Sequence, residues 1–173
     1  MRRKNEKQIH TTGFTIVELL IVIVVIGILA AITIVAYNGI QAKGHDVSIQ
    51  ADLRNIATKA KLYMAENSEY PYTFTHFSTM GIKVSKNSYE HYFNGTAEYN
   101  LVYCYAPSTA PTSFAIVGYG KGKSWMYTGA GEIREFTSAP AGSVTDCAAA
   151  GVTLQSGADR FWFHDNNAWR SFV

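Results

Sequence analysis

The residues that most need a chemical explanation are Gly13, Phe14 and Glu18. They open the stretch GFTIVELLIVIVVIGILAAITIV, Gly13–Val35, whose only polar side chains are Thr15, Glu18 and Thr33. An ionised carboxylate is costly in hydrocarbon and asks for a partner. Three roles fit. Thr15-x-x-Glu18 has the spacing of a capping box, in which the carboxylate satisfies backbone N–H groups at a helix start. Glu18 could also lie at headgroup depth and stay solvated. In the third reading the chain is cut between Gly13 and Phe14. The new α-amine then stands one helical turn before Glu18, and the two charges pair within a chain or between neighbours. A pairing between chains would set the axial register of packed helices, because opposite charges attract strongly at low dielectric and an unpaired one is penalised.

Cys104 and Cys147 are the two cysteines, both in the C-terminal half. An even pair in an exported domain points to a disulfide, the alternative being two unrelated buried thiols. A bridge closing a loop of about 43 residues would stabilise by roughly 4 kcal/mol on chain-entropy grounds. The histidines His10, His45, His76, His91 and His164 show no metal-binding spacing, so no metal site and no cofactor are expected. No GxSxG, P-loop or GxGxxG motif supports catalysis; Gly118-x-Gly120-x-Gly122 reads as a turn between strands. Asp159-Arg160 and Asp165-Asn166-Asn167 are oxygen-rich but read more simply as turns than as a calcium loop. Asn94-Gly95-Thr96 is a weak glycosylation sequon. Trp125, Trp162 and Trp169 are candidate contacts to a surface, a glycan or a neighbouring subunit, against the plainer role of core packing.

The elements that must position these groups follow from periodicity. Phe14 to Ala36 reads as one apolar helix long enough for a ~30 Å hydrocarbon core. Arg2, Arg3, Lys4 and Lys7 precede it, so the N-terminus should stay cytoplasmic and everything beyond should be exported. Ala30-Ala31-Ile32 imitates a signal-peptide cleavage site, but the apolar run continues past it. Ile49, Leu53, Ile56, Ala60 and Tyr63 then form the stripe of an amphipathic helix, with Asp52, Asn55, Lys59 and Glu66 on the other face. Gly39 and Gly44 are soft spots rather than breaks, and Asn67 to Pro71 is the stop. One helix of roughly 54 residues would span about 80 Å. Such a length has no place inside a small domain, so its first half needs lipid or other copies of the chain.

Strand-like runs follow at Tyr99–Tyr105, Ser113–Tyr119, Ser124–Thr128 and Glu132–Phe136, after a linker with a short helix near Phe74–Met80. Turns are expected at Gly120–Lys123 and Gly129–Gly131. Ala139 to Gly157 reads as a long surface loop around Cys147, and Arg160 to Trp169 as a final strand or hairpin. The fold class is therefore α+β. The formal charge is +2, but beyond residue 13 eleven Lys/Arg face twelve Asp/Glu, about −1. No broad basic surface points to nucleic acid.

Arg2-Arg3-Lys4, then Gly13-Phe14-Thr15-Ile16-Val17-Glu18-Leu19-Leu20 and the apolar run Ile21 to Ala31, resemble the class III signal of the type IV pilin and pseudopilin family. The resemblance covers about residues 1–40. It implies a leader, residues 1–13, removed by a prepilin peptidase acting at Gly13, with N-methylation of Phe14. It implies a transmembrane and filament-core helix over 14–40, the amphipathic half of that helix over 41–68, and a β-rich head over 69–173. The pilin fold packs the second half of the helix on an antiparallel sheet. The family assembles homo-oligomeric helical filaments from subunits held in the inner membrane, driven by a cytoplasmic ATPase and a platform protein. Phe14 and Glu18 would be the assembly residues. The expected role is a structural subunit, the major pilin of a surface filament for adhesion, twitching motility or DNA uptake, touching host surfaces or DNA through the filament. A type II secretion pseudopilin or minor pilin is the alternative within the family, and a membrane-anchored exported enzyme or binding domain the alternative outside it. One departure is Val35, where many family members carry proline.

Overall fold

The computed structural model describes residues 13–90, 92–93, 98–136, 143–154, 160–165, 168–171 and 173. Contacts divide the chain into two compact units, Met1–Gly39 and Ile40–Val173. Helix α1, Ile16–Asn67, is assigned as one element through both. It contains no proline, and Gly39 and Gly44 are helical, as is Val35. The helix ends where the turn residues begin. Ser68 adopts φ 63°, and the Tyr70 amide leaves the helix to donate to the Pro111 carbonyl at 2.9 Å.

The second unit holds the sheet. Five antiparallel strands lie in the order β6-β5-β4-β3-β7, where β3 is Leu101–Ala106, β4 Ser113–Gly118, β5 Ser124–Tyr127, β6 Ile133–Phe136 and β7 Arg160–Trp162. Consecutive strands β3 to β6 meander through short turns, and β7 returns to the free edge of β3. Two small ribbons complete the head: β1 (Tyr92–Phe93) with β2 (Glu98–Tyr99), and β8 (His164–Asp165) with β9 (Ala168–Trp169). Helix α2, Phe74–Thr79, starts where the Thr73 hydroxyl accepts the His76 amide at 3.3 Å.

Strand alternation explains the two cores. Leu101, Tyr103 and Tyr105 of β3 join Ile49, Leu53, Ile56 and Ala60 of α1 in one cluster. Ile49, Leu53 and Ile56 each contribute about 1.5–3 kcal/mol on full burial. Val102 and Cys104, one residue out of phase, join Ala115, Val117 and Met126 in a second cluster on the opposite face. A sheet covered on both faces needs apolar residues at nearly every position, and β3 and β4 are buried almost throughout.

The cover on that second face corrects the surface loop expected over Ala139–Gly157. Ser143–Ala149 is helix α3, and Cys147, Ala150 and Val152 beyond it are buried against the sheet. Its alanines suggest a loop by their small size, yet alanine is the strongest helix former. A second correction concerns Asp52, expected on the solvent face. It is only 8% exposed. Its carboxylate accepts from the Ser85 amide at 2.7 Å, the Ser85 hydroxyl at 3.3 Å and the Tyr89 hydroxyl at 3.1 Å. Burial raises its pKa, and those three hydrogen bonds act against the rise.

Glycine lets α1 come close to the β4–β5 hairpin. A Cβ on Gly120 would collide with Ile49 Cδ1 and the Lys123 carbonyl, and one on Gly122 would sit 2.9 Å from both the Ala42 carbonyl and Asp46 Oδ1. The contact is then pinned by Asp46 Oδ1, which accepts from the Lys123 amide at 2.8 Å and the Trp125 indole at 3.2 Å. The Gly-x-Gly-x-Gly run is therefore a seat for the helix as well as a turn.

Candidate assembly and processing site

Among the described residues the first unit has no buried core of its own. From Phe14 to Tyr37 its described large apolar side chains stand between 48% and 85% exposed. No neighbouring atom lies within 4 Å of a Cβ built at Gly13 or Gly27. Length and composition make this segment a candidate membrane span.

Within it the polar groups are satisfied locally. The Thr15 amide and hydroxyl both donate to Glu18 Oε2, at 2.9 and 2.6 Å, and the Glu18 amide donates to Thr15 Oγ1 at 3.2 Å. This is the reciprocal capping box expected from Thr15-x-x-Glu18. The Leu19 amide makes the first helical bond, to the Thr15 carbonyl at 3.3 Å. Thr33 turns its hydroxyl back to the Ala30 carbonyl at 3.0 Å. Two features of the cap bear on chemistry. Both contacts to the carboxylate fall on one oxygen, Oε2. Gly13 and Phe14 lie ahead of the helix in irregular backbone, and both are exposed. An exposed, non-helical peptide bond beside a small residue is one a protease can reach.

The other residues singled out from the sequence fall elsewhere. Cys104 on β3 and Cys147 on α3 form a disulfide with Cα atoms 5.7 Å apart, and both are fully buried. The bridge ties the centre of the sheet to its second cover. Trp125 is half-buried with its indole N–H on Asp46. Trp169 is half-buried and meets Tyr89 edge-on, centroids 5.4 Å apart. Trp162 sits on edge strand β7 opposite Val102, and its side chain lies outside the described residues. The sequon Asn94-Gly95-Thr96 and the residues Asp159, Asn166 and Asn167 also lie outside them. Among the described residues no group of three or more His, Cys, Asp or Glu gathers to hold a metal. Asp46 and Asp52 are what sequence reasoning missed. Their partners lie 33 to 79 residues away, and no local pattern announces them.

Comparison with known proteins agrees with the N-terminal geometry. Residues 10–34 match the prokaryotic N-terminal methylation motif. Over 73 residues the chain is 32% identical to a type II secretion system core protein G of Klebsiella michiganensis, covering 42% of this chain and 48% of that one. It is 26% identical over 117 residues to the type IV wide pilus major component PilA4 of Thermus thermophilus, covering 68% and 80%. It is 38% identical over 58 residues to the type IV major pilin protein PilA of Myxococcus xanthus, covering 34% and 26%. The matched lengths thus span from about a quarter to four fifths of these relatives.

Proposed function

We propose, from the premise that this is a type IV pilin-like chain bearing the N-terminal methylation motif, that it is a structural subunit of a type IV pilus, its major pilin. The observation that carries the reading is the apolar helix of the first unit, exposed on all sides and headed by a capped glutamate. Residues 1–13 are the leader, removed between Gly13 and Phe14 by a prepilin peptidase, and Phe14 is N-methylated. Cutting ahead of the apolar segment leaves the anchor attached. The subunit, 14–40 as anchor, 41–68 as the amphipathic half and 69–173 as head, waits in the inner membrane with its N-terminus on the cytoplasmic side. A cytoplasmic ATPase and a platform protein move it into the filament.

Transfer from lipid to a bundle of like helices changes apolar burial little, so van der Waals packing and polar contacts must select the register. Glu18 provides the polar contact. Its Oε2 holds the cap, and Oε1 is left to receive the methylated amine of Phe14 from a neighbouring subunit. The chain itself catalyses nothing in this scheme. The filament would serve adhesion, motility or DNA uptake.

A pseudopilin of a type II secretion apparatus is the second reading, favoured by the relationship to a core protein G. The two pilus components among the relatives, one of them matched over 68% of this chain, weigh toward the pilus. Purified surface filaments decide between them. The expected result is abundant filaments built of this chain beginning at N-methyl-phenylalanine 14. Filaments in which the chain is a trace component, or mature protein retaining residues 1–13, would refute the reading. Glu18→Ala should leave cleavage intact and abolish incorporation; normal filaments from that variant would remove the register mechanism.

A further inference from the structure

An open cleft of about 670 Å³ lies on the head, between the turn at Lys86–Ser88 and the β4–β5 hairpin. That volume falls within the range of about 300–1,000 Å³ found for small-ligand sites. Its frame is rigid. The Glu90 amide donates to the Tyr119 carbonyl at 2.9 Å and the Lys121 amide to the Ser88 carbonyl at 3.1 Å, with a bridge from Tyr89 to Gly120 between them. Tyr89 is 2% exposed and anchored by its hydroxyl to Asp52. It presents its ring to Trp169, which forms one wall of the cleft. Lys86 Nζ hangs 6.0 Å from the Trp169 ring centre, and Lys121 lines the cleft as well. Asn87 and Glu90 complete the lining.

We propose that this cleft binds an acidic carbohydrate, a uronic-acid or sialic-acid type sugar, on the face of the head. An indole wall suits the apolar face of a pyranose ring. Two exposed ammonium groups on flexible stems can reach one carboxylate. Asn87 and Glu90 offer a mixed donor–acceptor pair and an acceptor for vicinal hydroxyls. Among the described residues its lining has two cations against one carboxylate, which suits a single negative charge. A nucleic acid strand fits less well. Its phosphates demand a basic track, and Glu90 would stand against it. The site does not depend on the pilus reading and would exist on a head that never polymerised.

The test uses the full-length protein in detergent micelles, titrated calorimetrically with an oligogalacturonate, a neutral cello-oligosaccharide and an oligothymidylate. Oligogalacturonate should bind, and roughly tenfold more tightly than the neutral sugar. Lys86→Gln combined with Lys121→Gln alters only exposed side chains, so the fold is retained and that preference should disappear. Trp169→Ala should abolish binding of both sugars, with circular dichroism and thermal unfolding checking that the head remains intact. Equal binding of acidic and neutral sugars by the wild type, unchanged preference in the lysine pair variant, stronger binding of oligothymidylate, or no sugar binding at all would each overturn the proposal.

Discussion

The two halves of α1 share a backbone geometry and little else. In the second half, Ile49, Leu53, Ile56 and Ala60 are all at 0% exposure, recurring every three or four residues against a sheet that the same chain provides. In the first half the apolar residues point in every direction, none of the described ones is buried, and the side-chain hydrogen bonds at Thr15, Glu18 and Thr33 are local. The periodicity differs because the solvents differ. One half faces water on one side and protein on the other, which writes a stripe. In the subunit proposed above the other faces lipid or like helices all round, which erases it. The first half is rich in β-branched Ile and Val, so its helix rests on the need to satisfy backbone hydrogen bonds internally rather than on propensity, while tertiary specificity exists where polar and apolar positions alternate.

This contrast can be broken by paired substitutions. Leu53→Ala should destabilise the head by about 2–5 kcal/mol, the range for a large-to-small core change. Ile26→Ala should leave head unfolding within about 0.5 kcal/mol of wild type, as for residues without tertiary contacts. Thermal or urea unfolding of the full-length protein in micelles measures both; an equal loss from the two would deny that the halves are independent.

Gly120 and Gly27 form a gentler pair. A methyl group at Gly120 meets Ile49 and the Lys123 carbonyl, so Gly120→Ala should cost about 1–3 kcal/mol by overpacking. Gly27→Ala meets nothing within 4 Å and should only favour the helix, leaving the head unchanged. The same unfolding experiment reads this pair.

The smallest effect concerns Asp52, a polar group that the second half buries and the first half has no counterpart for. Burial holds its folded-state pKa above the ordinary value of 3.8. The folded protein therefore binds the proton more tightly than the unfolded chain. Its contribution is fully present below the unfolded pKa and is lost as pH rises through the folded one. The stability of wild type relative to Asp52→Asn should accordingly grow as pH falls from neutrality into the carboxylate range. A difference that stays flat, or shrinks, would contradict the assignment.

How much was legible in the sequence follows the same division. The helix from residue 14, its capping box and its stop before Pro71 are local features and were read directly. The four runs of β3 to β6 were found within two residues of their ends, since alternation and Gly-rich turns are also local. The type and spacing of Asp52 point to the wet face, whereas its partners Ser85 and Tyr89 sit on a distant segment. The alanine-rich stretch after Ser143 looked like loop because only the sheet's second face, invisible in one dimension, gives it something to cover. Gly118, Gly120 and Gly122 were read for their turn and not for the helix that rests on them.

The Cys104–Cys147 bridge also has a mechanical meaning. It closes a ring around β4, β5, β6 and most of α3, 43 residues apart in sequence. When the two chain ends are pulled apart, force crosses the sulfur atoms and bypasses everything between them. About 150 Å of contour length is thereby withheld from stretching. Only the stretches outside the ring can pay out, so the extension of a head dragged by its attachments is bounded and β4, β5 and β6 stay out of the line of force.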